Sequence, residues 1–265
     1  MKSADRPRPS HLGPEYAAQF EDESVVASYA QRAPYPPEVF GLLLDLVQAE
    51  PRNVVDLGCG RGEIARALAP HVGRVDAIDP SAAMLTAGKS LPGGTHPNLN
   101  WILGKAEAAT WATPCALAVA GNSLHWMEWT ELLPRLDRTL MPRAHLAIVE
   151  SGRGPAPWDV PLGELIRAYS TNRQFRPYDI VSELTGRGLF AIAGRYETLP
   201  LAYQRTVEEF VESMHAQNGF SRERMDMKAA ALFDRKVREL VTPFVEQGSL
   251  QLTSTARITW GRPAS

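Results

Sequence analysis

A short apolar segment runs directly into a loop with glycine at every second position, and no other feature constrains the fold as strongly. The segment is Val54–Leu57, and the glycines are Gly58, Gly60 and Gly62. Glycine permits a tight backbone turn and lets a ligand approach without meeting a β carbon. A strand, a glycine loop and a following helix are typical of the first unit of an α/β sheet that binds a nucleotide-like ligand.

Short apolar strands and amphipathic helices alternate up to residue 150. The pattern predicts strands over Asn53–Leu57, Arg74–Ile78, Asn100–Leu103, Leu117–Ala120 and His145–Val149. Such alternation indicates right-handed βαβ units and a parallel sheet covered on both faces. Beyond residue 150 the pattern predicts helices over Leu162–Ser170 and Tyr178–Thr185, a strand over Tyr196–Arg205, and a last strand with alternating faces over Leu250–Trp260.

Composition narrows the class of protein. Lysine and arginine total 28 against 30 acidic residues, a net charge of −2, which argues against a broad nucleic-acid surface. The two cysteines are too few for a disulfide framework, and the sequence has no zinc-like clustering. No stretch approaches the roughly 18 apolar residues of a membrane helix. We therefore expect a cytoplasmic protein without a membrane partner; composition does not predict its oligomeric state.

Two carboxylates bear on the kind of ligand. A dinucleotide site favours a third glycine at the position that Glu63 occupies, so this loop departs from the dinucleotide pattern. An acid, Asp56, lies shortly before the first glycine. An acid at the end of the first strand suits a cationic amino group better than a pyrophosphate. Asp79 ends the next strand, where a carboxylate can accept both hydroxyls of a ribose. Together the two acids favour an adenosyl ligand over NAD.

These motifs resemble those of the class I S-adenosylmethionine-dependent methyltransferases, most clearly from Ser24 to Glu150. Within that family the chain is similar to a small-molecule branch that includes enzymes resembling trans-aconitate methyltransferase. The further marks of that branch are Tyr29, Arg32, Tyr35 and Pro36, then Gly104–Glu107, Leu124–Trp126 and Trp260–Pro263. The resemblance implies an α/β fold: a Rossmann-like, doubly wound, mostly parallel seven-stranded sheet with an antiparallel C-terminal strand and a helical lid.

The expected organisation is a flexible tail over residues 1–20 and one methyltransferase domain over 21–265. Within that domain, 21–50 would form cap helices and 151–190 a lid insertion.

The resemblance also assigns roles. It implies S-adenosylmethionine as cofactor, S-adenosylhomocysteine as its product, and no metal. The cofactor would be bound by Tyr29, Arg32, Asp56, Gly58, Gly60, Arg61, Gly62, Asp79, Pro80, Ser81, Met84, Ala106, Glu107 and Asn122. His125 is the candidate general base because its ordinary pKa lies near neutrality. The candidate substrate-binding residues are Trp126, Tyr169 and Arg173.

The resulting expectation is methyl transfer to a small-molecule acceptor by in-line displacement, with a carboxylate or hydroxyl oxygen favoured. Two alternatives remain open. One is a protein of the same fold that binds the adenosyl ligand without transferring methyl, as a cyclase or cofactor user. The other is a protein or RNA methyltransferase; the sequence contains neither an Asn/Asp-Pro-Pro-Tyr-like motif nor a basic appendage, which counts against the nucleic-acid version.

Overall fold

A computed structural model describes residues 9–264 of the chain. The strands are β1 (Asn53–Leu57), β2 (Arg74–Asp79), β3 (Leu99–Leu103), β4 (Cys115–Gly121), β5 (Leu140–Arg153), β6 (Phe190–Glu197), β7 (Leu201–Arg205), β8 (Val245–Glu246) and β9 (Ser249–Pro263). The α-helices are α1 (Pro14–Ala17), α2 (Glu23–Ser28), α3 (Glu38–Asp45), α4 (Glu63–Leu68), α5 (Ala82–Ser90), α6 (Trp129–Thr139), α7 (Asp159–Tyr169), α8 (Ile180–Gly186), α9 (Val207–His215) and α10 (Met227–Val241).

The strands form one sheet in the order β3-β2-β1-β4-β5-β9-β6. Strands β1 to β5 are parallel, and β9 runs antiparallel to β5. The strand order reverses between β1 and β4, which opens a crevice at the carboxyl ends of these two strands. The predicted doubly wound, mostly parallel sheet with an antiparallel last strand is confirmed.

Apolar side chains cover both faces of the sheet. Leu132 and Leu136 of α6 and Leu184 of α8 pack on one face, and Leu43 of α3 and Leu68 of α4 belong to the cluster on the other. A third core lies between α7, α9, α10 and the strands β7 and β9. Burial on both faces explains why β1 and β4 read as continuous apolar runs in the sequence.

The second half of the sheet departs from the expected seven strands. The sheet of the described residues has nine, because β7 and β8 also pair with the 15-residue β9. The single strand predicted over Tyr196–Arg205 is wrong. Pro200 lacks an amide hydrogen for a strand ladder, and β6 ends at Glu197 before β7 begins at Leu201.

The N-terminal segment is also different from the expectation of a tail over residues 1–20. Residues 10–21 form short helical turns, and His11, Leu12 and Gln19 are buried. Gln19 Oε1 accepts a hydrogen bond from the Gly219 amide at 2.9 Å, which ties the segment to the loop after α9. The tail prediction is therefore wrong for residues 10–20, and residues 1–8 lie outside the described part of the chain. Over residues 9–264 no helix combines the length and apolar character needed to cross a bilayer.

Candidate active site

The glycine loop lies at the carboxyl ends of β1 and β2 and has the backbone that its sequence predicts. Gly58, Gly60 and Gly62 all have positive φ values, of 66°, 56° and 72°. A β carbon on Gly58 would lie 2.7 Å from Ser123 Cβ, and one on Gly60 would lie 3.3 Å from the hydroxyl of Tyr29. Gly58 therefore requires glycine for conformation as well as for space, and at Gly60 the positive φ favours glycine while the space for a β carbon is tight.

Asp79 is anchored at the end of β2 by two backbone amides. Its Oδ2 accepts from Gly60 N–H at 2.8 Å and its Oδ1 from Ser81 N–H at 2.9 Å. Burial raises the pKa of this carboxyl to about 6, although both hydrogen bonds act to lower it. Each oxygen retains a lone pair, so the carboxylate can still accept hydrogen bonds from a ligand.

Asp56 performs a structural function that the sequence interpretation missed. Its Oδ2 accepts from the Ala65 amide at 3.1 Å, in the first turn of α4, and so satisfies a helix N–H that has no partner within the helix. Burial raises the pKa of this carboxyl to about 7. A nearby cation would favour the ionised form of this buried acid.

A cavity of about 520 Å³, here called the loop cavity, is bounded by the glycine loop, β2 and the N-terminal helices. It brings together ten of the fourteen residues predicted to bind the cofactor. These are Tyr29, Arg32, Gly58, Gly60, Asp79, Pro80, Met84, Ala106, Glu107 and Asn122. Their separation over 94 positions of sequence shows that the fold assembles a single site from several strand ends.

The other four lie nearby but do not line this cavity. Asp56 and Arg61 border an adjoining pocket, where Arg61 pairs with Glu63 at 2.9 Å. Gly62 is the N-cap of α4, with a left-handed backbone, and packs against the Trp101 ring. Ser81 is the N-cap of α5, as its position predicts, and accepts from the Met84 amide at 3.2 Å.

Arg32 and Tyr29 stand together at the mouth of the glycine loop. The Arg32 guanidinium lies 5.0 Å from the centre of the Tyr29 ring, and the Arg61 guanidinium lies 5.6 Å from it. Arg32 also donates to Ala216 O at 3.4 Å, a long hydrogen bond that leaves most of its donors for a ligand. The pair therefore presents a cation and a phenol at one end of the loop cavity.

A second cavity, of about 740 Å³, lies beside the first at the carboxyl ends of β4 and β5; we call it the strand-end chamber. Five residues border both cavities: Phe20, Arg32, Asn122, Ser123 and Trp126. The Asn122 side chain exchanges two hydrogen bonds with the Ser151 backbone, at 2.8 and 3.0 Å, and so fixes this common wall to β5.

The predicted base lies in this chamber. His125 lines its wall, with its ring centre 4.7 Å from that of Trp126. The remaining two candidates are elsewhere. Tyr169 packs on Phe233 with ring centres 5.7 Å apart, and Arg173 donates to carbonyl oxygens at the end of α7. Neither borders the loop cavity or the strand-end chamber.

Several lining residues were not predicted. Phe20 and His11 come from the segment expected to be a tail, and aromatic residues in that segment were the available signal. Glu150 and Ser151 come from the end of β5. Glu150 follows an apolar strand just as Asp56 and Asp79 do, so the rule that identified those acids also applies to it.

Comparison with known proteins shows which sequences the chain is similar to. Residues 54–143 match a family model described as a methyltransferase domain. The chain is 28% identical over 158 residues to trans-aconitate 2-methyltransferase of Streptomyces coelicolor, covering 57% of this chain and 51% of that protein. It is 32% identical over 146 residues to an uncharacterised methyltransferase of Mycobacterium bovis, covering 54% and 57%. The chain spans about half the length of the curated relatives it matches.

Solved structures share the fold. A candidate type II methyltransferase from Anaeromyxobacter dehalogenans superposes with a TM-score of 0.62 at 23% identity, covering 87% of this chain and 97% of that one. The [4+2]-cyclase SpnF superposes with a TM-score of 0.56 at 14% identity, covering 98% and 99%. At these identities the superpositions establish the fold alone. Over residues 54–143 the sequence is therefore similar to a methyltransferase domain, and the strand order and the glycine loop of the structure agree with that similarity.

Proposed function

We propose that this chain transfers a methyl group from S-adenosylmethionine to a carboxylate or hydroxyl oxygen of a small molecule. The observation that carries the proposal is the common wall of the two cavities, formed at Asn122 and Trp126. A donor in the loop cavity and an acceptor in the strand-end chamber would meet there. Holding two reactants in line is the main contribution that a protein makes to such a displacement.

The loop cavity fits the donor in three respects. Asp79 offers two anchored carboxylate oxygens for the ribose hydroxyls. Ala106 and Glu107 line the same cavity and would meet the adenine edge, and Glu107 accepts a hydrogen bond from the Glu128 amide at 2.5 Å. Arg32, beside Tyr29, supplies a planar cation whose geometry matches the methionine carboxylate. Gly58 and Gly60 keep β carbons out of the cradle between these groups.

S-adenosylmethionine would supply an electrophilic methyl group on a positively charged sulfur. The residues of this chain would bind both reactants, align them across Asn122 and exclude water. His125 remains the predicted base for an acceptor that must lose a proton, whereas a carboxylate acceptor needs none. The trans-aconitate methyltransferases among the relatives support a small acidic acceptor as one candidate class.

The test combines binding with transfer. Calorimetry should show that the purified chain binds S-adenosylhomocysteine and does not bind NADH. Incubation with methyl-labelled S-adenosylmethionine and a panel of small acids and alcohols, including trans-aconitate, should give a labelled small product. Binding without transfer to any acceptor would favour a cofactor user or cyclase, and label on added RNA or protein alone would contradict a small-molecule acceptor.

A further inference from the structure

The strand-end chamber contains buried hydrogen-bonding atoms that the fold itself does not satisfy. Glu150 Oε2, Ser151 Oγ and His11 Nε2 are all inaccessible to solvent and have no hydrogen-bond partner among residues 9–264. All three residues line this chamber. A buried polar group without a partner costs free energy, and because all three residues line one chamber, a polar ligand that reached these atoms from the chamber would offset that cost.

Two arginines of the same chamber are already neutralised. Arg153 is paired with Asp159, and Arg257 donates to Glu197 at 2.8 Å. A third, Arg32, borders the loop cavity as well, and its guanidinium is assigned above to the donor's carboxylate. The charged group of the chamber that keeps an atom without a partner among the described residues is therefore the Glu150 carboxylate, which can only accept hydrogen bonds when ionised. It favours a ligand with a hydrogen-bond donor and disfavours an anionic ligand.

Aromatic rings line much of the remaining wall. The Phe20 ring centre lies 5.6 Å from that of Trp126. The His11 ring meets Phe175 and Tyr178 edge-on, with centres 5.8 and 5.6 Å away. Aromatic rings attract each other in offset and edge-on arrangements, so these side chains would give a flat ring in the chamber aromatic surface to pack against.

We propose that the acceptor is a phenol, a hydroxyl group on an aromatic ring, and that Glu150 accepts the hydrogen of that hydroxyl. This inference rests on the proposed function and narrows its acceptor class. For a phenol it gives the proton to Glu150 instead of His125, the base predicted from the sequence. The neutral partners Ser151 and His11 would bind further polar substituents of the ring.

The chemical step is balanced by groups already named. The phenol oxygen forms the new bond to the methyl carbon, and the electron pair of the breaking carbon–sulfur bond stays on sulfur. The hydroxyl proton passes to the Glu150 carboxylate and is later lost to water. Burial and the neighbouring Asp179 raise the pKa of Glu150, and this outweighs the lowering effect of Arg257 and Arg195. The raised pKa makes Glu150 a stronger base than an exposed carboxylate.

The test uses 2-naphthol as the probe, with trans-aconitate as the carboxylate comparator. Calorimetry with saturating S-adenosylhomocysteine measures probe binding without any reaction, and methyl transfer is measured separately. Glu150→Gln removes the charge and keeps the shape; Glu164→Gln, an exposed acid on α7, is the matched control. His11→Phe is a second variant that keeps a ring but removes the hydrogen-bonding nitrogen.

We expect the wild type to bind and methylate 2-naphthol. Glu150→Gln should weaken naphthol binding about 10-fold and lower kcat about 100-fold or more, with binding of S-adenosylhomocysteine unchanged. His11→Phe should weaken naphthol binding by about fivefold, the effect of one neutral hydrogen bond. The control should match the wild type in every measurement.

Three failures are distinguishable. If the chain binds S-adenosylhomocysteine and methylates trans-aconitate but neither binds nor methylates 2-naphthol, the phenol inference is overturned and the proposed function stands. Equal kcat values on 2-naphthol for Glu150→Gln and Glu164→Gln would remove Glu150 as the base; a loss in His125→Ala instead would assign that role to the histidine. If S-adenosylhomocysteine does not bind at all, the proposed function fails and this inference fails with it.

Discussion

Replacing Asp79 by asparagine should weaken ligand binding while changing stability in a pH-dependent way. The folded chain raises the pKa of this buried carboxyl to about 6, against about 3.9 for an ordinary aspartate. A raised pKa means that the folded state binds a proton more tightly than the unfolded state. Ionised Asp79 therefore destabilises the fold, increasingly as pH rises from about 4 to about 6, and the effect is complete above that range.

The magnitude follows from the size of the shift. About two pH units correspond to about 3 kcal/mol of stability, which asparagine recovers at pH 8 because it carries no charge. Asparagine also places an amide NH₂ against either Gly60 N–H or Ser81 N–H, where the carboxylate accepted from both. One lost acceptor costs about 1–3 kcal/mol. The variant should therefore be as stable as the wild type at pH 8, or up to about 2 kcal/mol more stable, and less stable near pH 4.

Urea unfolding at several pH values between 4 and 8 measures this difference, and Asp45→Asn, an exposed acid on α3, is the control. Calorimetry at pH 8 should show S-adenosylhomocysteine binding to Asp79→Asn about 10- to 100-fold more weakly, because a charge-assisted hydrogen bond to the ligand is lost. A stability difference that does not change with pH would refute the buried-charge argument. Unchanged affinity would refute the assignment of Asp79 to the ligand.

Four further outcomes can be measured. Gly58→Ala should lower the free energy of unfolding by about 1–3 kcal/mol, because φ is positive there and Ser123 occupies the space that a β carbon would need. Gly41→Ala is the control: nothing among the described residues lies near a β carbon at that position of α3, so alanine should raise the free energy of unfolding by up to about 1 kcal/mol. Thr206→Ala should cost about 1 kcal/mol in urea unfolding by removing the capping box of α9. Arg173→Ala should leave the KM for the acceptor unchanged within about twofold, since its donors cap α7 away from the strand-end chamber. At pH 6, S-adenosylhomocysteine should release protons on binding, seen as buffer-dependent heats, because its ammonium lowers the raised pKa of Asp56; the neutral ligand 5′-methylthioadenosine should release fewer.

The sequence was most informative where local chemistry determines structure. β1 was predicted to the residue, because an apolar run ended by an acid and a glycine leaves little choice of conformation. The capping box at Thr206 and the N-cap at Ser81 are local in the same way, since each depends on residues three positions apart. The glycine loop likewise specifies its own backbone through Gly58 and Gly60.

Long-range placement was harder to predict. Residues 10–21 are held by distant partners such as Gly219 and Asn172, which no local pattern in that segment reveals. Tyr169 was assigned to substrate from its position in a predicted lid, but its ring packs inward against Phe233. Which face of a lid helix meets the site depends on the packing of α7 against α10, and no local pattern encodes that.

Three carboxylates lie at or near the carboxyl ends of parallel strands, and they differ in the hydrogen bonds that they receive. Asp56 at β1 is held by an amide of α4, and Asp79 at β2 by two amides of its own neighbourhood. Each receives part of the hydrogen bonding that offsets its burial. Glu150 on β5 has a buried oxygen with no such partner among the described residues. A buried carboxylate destabilises the fold unless it has a hydrogen-bond partner or a counter-charge. A bound hydroxyl group would supply such a partner to Glu150, and this would explain why its oxygen is buried.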